Sequence, residues 1–75
     1  MVSYAKRIRD LREDIDASQH NIAKILHTTQ SQYSKIELGK RKISAEEIII
    51  LCTLYDVSAD YLLGFTNEKK QLPRK

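Results

Sequence analysis

The 75-residue sequence is poor in residues that interrupt or staple a chain: two glycines, one proline, one cysteine and no tryptophan. The single cysteine, Cys52, excludes an intramolecular disulfide, and no cysteine–histidine spacing resembles a zinc site. Its expected place is that of a small buried hydrophobe in a reducing compartment. Long apolar runs are missing as well. The longest, Ile48–Cys52, has five residues, against the roughly 20 that cross a bilayer. The opening stretch MVSYAKRIRD has no uninterrupted apolar core, so no signal peptide, no membrane contact and a cytoplasmic location are expected. With β-branched alternation also absent, the chain reads as all-α.

What is there supports one globular domain, with 41% apolar and 31% charged residues. Tyr4, Ile8 and Leu11 form a buried stripe, predicting a first helix from Tyr4 to about Asp14. Ser18 is a natural N-cap for a second helix, Gln19 to Leu26, that buries Ile22, Ala23 and Leu26. Thr29 caps a third, Gln30 to about Leu38, which Gly39 ends. Ser44 opens a fourth, running to about Tyr55, with Glu46 and Glu47 in its first turn. Ser58 caps a short fifth, Ala59 to Leu63, closed by Gly64. Residues 1–64 would form the domain. The remainder, FTNEKKQLPRK, lacks apolar periodicity and is expected to be a mobile basic tail.

The net charge of +3 is unevenly spread. Between Gln19 and Ile43 stand Lys24, Lys35, Lys40, Arg41 and Lys42 against Glu37 alone, a net +4. Between Ser44 and Gly64 stand Glu46, Glu47, Asp56 and Asp60 with no cation, a net −4. One end of the domain should attract phosphate and the other repel it. At the attracting end the third helix carries Gln30, Ser31, Gln32, Ser34 and Lys35, most of them uncharged groups that suit the base edges of a DNA major groove. On the residues alone, a merely solvated face explains them equally well. Only His27, Thr28 and Thr29 separate the second and third helices, a turn short enough to make them cross steeply, with Ala23 small enough to permit close approach.

Here the sequence resembles the Cro/C1-type (XRE-like) helix-turn-helix family. The resemblance rests on Gln19, Ala23, the run Ile36-Glu37-Leu38-Gly39 and the run from Val57 to Gly64, VSADYLLG. It implies a compact five-helix domain of the lambda-repressor-like type, with the second and third helices as the helix-turn-helix. It further implies base reading by Gln30, Ser31, Gln32, Ser34 and Lys35. Gln19 would hold a phosphate and brace Gln30, and Arg12 and Glu37 would form a structural salt bridge. Two positions depart from the family's pattern: His27 where glycine is usual, and Thr28 where an apolar residue is usual. Lys40, Arg41, Lys42 and Ser44, a basic loop running into a helix N-terminus, are expected to hold phosphates. Lys6 and Arg7 are further candidates for the DNA backbone.

The expected function is a sequence-specific transcriptional regulator, a repressor, on double-stranded DNA. Because one small module reads few base pairs, a homodimer on a near-palindromic operator is expected. Ile50, Leu62 and Phe65 are the candidate dimer contacts, Ile50 because relatives usually carry a polar residue there. The alternative is an antitoxin-like or adaptor protein that binds a protein partner through the tail, with secondary autoregulatory DNA binding. His20 and His27 lack a third ligand at suitable spacing, and no nucleophile constellation can be named. No metal, cofactor or catalysis is therefore expected.

Overall fold

Each helix begins and ends by the same two devices. A computed structural model describes residues 3–69. Among these, five helices follow in order: α1 Tyr4–Asp14, α2 Gln19–Ile25, α3 Gln30–Glu37, α4 Ala45–Tyr55 and α5 Ala59–Leu62. A hydroxyl residue caps every one: Ser3, Ser18, Thr29, Ser44 and Ser58 each accept a hydrogen bond from the backbone N–H three residues on, which satisfies a donor that the first turn leaves free. Ser3 was not anticipated from the sequence. The predicted helices are otherwise reproduced, with the last residue of α2, α3 and α5 serving as a cap.

Every helix is also followed by a residue of positive φ: Asp16, His27, Gly39, Asp56 and Gly64. Behind α2, for example, the N–H of His27 bonds to the Lys24 carbonyl and that of Thr28 to the Ala23 carbonyl, the pattern of a left-handed helix stop. Three junctions use one three-residue formula, a left-handed residue, a core-facing residue and the next cap: Asp16-Ala17-Ser18, His27-Thr28-Thr29 and Asp56-Val57-Ser58. Val57 is fully buried, whereas Thr28 fills the same place only in part. The junction between α3 and α4, from Gly39 to Ser44, is longer, and it carries the basic run.

All five helices contribute to one core. Ile8 and Leu11 of α1, Ile22 and Ala23 of α2, Tyr33 and Ile36 of α3, Leu51 and Cys52 of α4 and Leu62 of α5 are buried together. Burial raises the Cys52 thiol pKa, which makes it an inert core group rather than a nucleophile. Leu62, expected at a dimer contact, has no exposed surface. That expectation is corrected: α5 turns the residue inward against the core.

Arg7 is corrected too. It is a buried residue of α1 whose guanidinium donates to the carbonyls of Tyr61 (2.8 Å) and Thr66 (3.1 Å) and to Oδ1 of Asn67 (2.7 Å). It also stacks 4.0 Å above the Tyr61 ring. The group therefore closes the end of α5 instead of reaching toward DNA, and ties the first residues of the expected tail to α1. Lys6 pairs with Asp10 at 2.7 Å in the open, an arrangement worth little. Residues 70–75, most of the segment expected to engage a protein partner, lie outside the described residues. Among those described, no helix is long and apolar enough to cross a membrane.

His27, at φ 58° and exposed, holds a backbone conformation that costs an L residue about 1 kcal/mol or more. Replacing it with glycine should raise stability by about 0.5–1 kcal/mol, read as a higher urea midpoint with an unchanged slope. A lower midpoint would contradict this account of the turn.

Candidate nucleic-acid interface

Thr29 starts α3 by accepting from the Gln32 N–H at 3.1 Å. From there the 3.6-residue period divides the helix. Tyr33 and Ile36 point inward with no exposed surface, leaving Gln30, Ser31 and Lys35 exposed and Gln32 and Ser34 half-buried. The five residues expected to read bases therefore share the outward side, with the first turn the most open. Among the described residues, none of their side chains is drawn into a hydrogen bond.

The inward side is anchored through Glu37, whose side chain is 3% exposed. Arg12 of α1 forks onto it, Nε to Oε2 at 2.7 Å and Nη2 to Oε1 at 3.1 Å. Gln19 of α2 donates from Nε2 to Oε1 at 3.0 Å, and the Tyr33 hydroxyl donates to Oε2. Burial alone would raise the Glu37 pKa, but hydrogen bonds from Arg12, Tyr33 and Gln19 outweigh it and hold the carboxyl below its ordinary 4.5. Burial, followed by the Glu37 hydrogen bond, pushes the Tyr33 phenol far upward. The hydrogen bond to Glu37 raises the Arg12 guanidinium. The expected salt bridge is present within this larger cluster. Tyr33 could have been anticipated, because residues four apart share a helix face. Gln19 could not, since only the fold brings α2 to the end of α3. Its amide nitrogen is turned to Glu37, not Gln30, and one further N–H of that group remains for a phosphate.

The basic loop is partly tied down within the chain. Arg41 forks onto Glu47, with Nη1–Oε1 and Nη2–Oε2 both 3.1 Å. Ser44 and Glu47 form a reciprocal cap: Ser44 Oγ accepts from the Glu47 N–H at 3.1 Å, and Glu47 Oε1 accepts from the Ser44 N–H at 2.9 Å. Burial would raise the Glu47 carboxyl, but Arg41 and Ser44 hold it below 4.5. Arg41 and Ser44, both expected at phosphates, are thus engaged within the chain: its own carboxylate occupies the amino end of α4. Ser44-x-x-Glu47 is a readable capping box, and this signal could have revealed the occupant. Lys40 and Lys42 remain as the exposed cations of the loop. The Lys40 and Arg41 N–H groups both bond to the Lys35 carbonyl, which folds the loop back over the end of α3.

An outward polar helix, braced at its carboxyl end and crossed by a second helix after a three-residue turn, is a helix-turn-helix. A helix-turn-helix family model matches residues 8–62, and the chain belongs to that family, in its Cro/C1-type (XRE-like) branch. It is 34% identical over 65 residues to the HTH-type transcriptional regulator YobD of Bacillus subtilis, covering 87% of this chain and 58% of YobD. For AnsR, an HTH-type transcriptional regulator of the same organism, identity is 32% over 68 residues, covering 91% and 59%. The chain thus spans somewhat under three-fifths of the length of these relatives. Its fold matches the P22 c2 repressor, crystallised with a synthetic operator, at TM-score 0.76 and 24% identity over 84% of this chain and 96% of that one. It matches the restriction-modification controller protein C.AhdI of Aeromonas hydrophila at TM-score 0.69 and 29% identity, over 79% and 86%.

Both buried carboxylates are depressed in the folded state, so their stabilisation is complete above about pH 4.5 and is lost as pH falls through their lower folded values. Urea midpoints should be flat near neutrality and drop steeply below that point. Glu37→Ala, which strands Arg12, should cost about 3–5 kcal/mol. A loss under about 1 kcal/mol would remove Glu37 from the centre of this account.

Proposed function

We propose that the chain is a sequence-specific, double-stranded-DNA-binding transcriptional regulator. It acts in the cytoplasm as a repressor and sets α3 in the major groove as a two-fold dimer on a near-palindromic operator. The observation that carries this reading is the outward side of α3. Gln30 and Ser31 are exposed at its N-terminal end, where a recognition helix reaches base edges, and Lys35 follows a turn later. Gln offers a donor and an acceptor matched to adenine N6 and N7, while Lys is suited to guanine. Behind them the Glu37 cluster fixes the helix on α1 and α2, so the readers stand on a rigid element.

Lys40 and Lys42, with the free N–H of Gln19, supply phosphate contacts that set register without reading sequence. Membership of the helix-turn-helix family and the likeness to two HTH-type transcriptional regulators support the same reading.

Gln30→Ala should weaken binding to the preferred site by about 1–3 kcal/mol and relax selectivity there. Lys42→Ala should instead weaken all duplexes alike and lower the salt slope by about one unit. Arg41→Ala should act chiefly on stability, since its partner is Glu47. Fluorescence anisotropy on specific and random duplexes across a salt series separates the three. Equal loss on both duplexes for Gln30→Ala would remove it as a base reader.

A further inference from the structure

Arg41 is the middle cation of the run Lys40-Arg41-Lys42, yet it is held differently from its neighbours. Lys40 and Lys42 are exposed. The Arg41 guanidinium instead turns both Nη groups onto Glu47, with each N···O distance 3.1 Å. Only 8% of the Glu47 side chain is exposed, whereas Arg41 keeps 30%. The Ser44 N–H donates to the same carboxylate at 2.9 Å. A guanidinium fork and a backbone N–H would hold a phosphate as well as they hold a carboxylate, because both anions offer paired oxygens to the same donors. The pair carries no net charge, so it adds little to the attraction of the loop for DNA. The Arg41 N–H bonds to the Lys35 carbonyl, which sets residue 41 beside the end of α3.

We infer that Glu47 competes with DNA phosphate for Arg41, so that the chain holds one cation in reserve and binds every duplex more weakly than its loop sequence allows. The cap of α4 does not require the charge on Glu47. It needs an oxygen that accepts from the Ser44 N–H, which glutamine supplies as well. Glu46 already places a negative charge in the first turn of α4, where the helix dipole favours one. What the charge of Glu47 adds is its hold on Arg41. A phosphate that draws Arg41 away leaves a buried carboxylate without its cation, and that cost opposes the contact whatever the base sequence. The inference rests on the DNA-binding reading, but on phosphate contact alone and not on base recognition by α3.

The test compares the wild-type chain with Glu47→Gln, with Glu46→Gln and with the double variant Arg41→Ala/Glu47→Gln. Glu46→Gln removes the same charge from the exposed neighbour and leaves the Arg41–Glu47 pair in place. Each variant is first shown to be helical and cooperatively folded, and anisotropy is then read on specific and random duplexes across a salt series. Glu47→Gln should bind both duplexes ~5–10-fold more tightly at ~100 mM salt, with a salt slope steeper by about one unit. Glu46→Gln should stay within ~2-fold of the wild type, because an exposed charge is screened. The double variant should also bind like the wild type, having lost the cation that Glu47→Gln sets loose. A Glu47→Gln chain that binds no more tightly than the wild type overturns the inference. An equal gain from Glu46→Gln, or a gain that survives the loss of Arg41, overturns it too. The expected gain on both duplexes, with no preference between them, upholds the competition and defeats sequence reading by α3. A preference for one duplex without the gain does the reverse.

Discussion

Everything about α3 depends on one buried carboxylate. Taking Glu37 out of water is costly unless its lone pairs are met, and three donors from three helices meet them: Arg12, Gln19 and Tyr33. The carboxylate sits at the last residue of α3, so these bonds fix both where the helix ends and how it lies on α1 and α2. They also cancel the one anion of the basic half of the domain by pairing it with Arg12 on the inward side. The outer side of α3 is then left to Gln30, Ser31 and Lys35.

The rest of the chain can be understood as a means of holding that side steady. Three of the four helix junctions are the same compact device, a left-handed residue followed by a core residue and a hydroxyl cap. The fourth departs from it and is where the exposed lysines stand. Even there the chain limits its freedom: Glu47 binds Arg41 and closes the cap of α4, so the loop is held by an internal ion pair while Lys40 and Lys42 remain free of it. One carboxylate braces α3 and another braces the loop beside it.

Much of this was legible in the sequence because it is local. Hydroxyl caps, helix-ending glycines and the stripe Tyr4, Ile8 and Leu11 act within a few residues, and the helices fell within a residue or so of their expected ends. The polar side of α3 was legible for the same reason. What was missed has more than one cause. Arg7 reads as a surface cation but finds acceptors at Tyr61, Thr66 and Asn67, more than 50 residues away. Arg41 and Ser44 read as phosphate ligands from charge and helix end, and the internal bonds both make to Glu47 were missed although they are local. Leu62 was misplaced because a four-residue helix gives too little periodicity to say which side faces in.

The central claim is that α3 reads sequence, with electrostatic attraction only helping it to the duplex. The most direct measurement is a selection of genomic fragments by the purified chain at ~150 mM salt, where non-specific attraction is weakened, followed by sequencing of what remains bound. The account predicts a recovered near-palindrome with half-sites about one helical turn apart. Recovery of no common motif, with binding that fades steadily as salt rises, would contradict it.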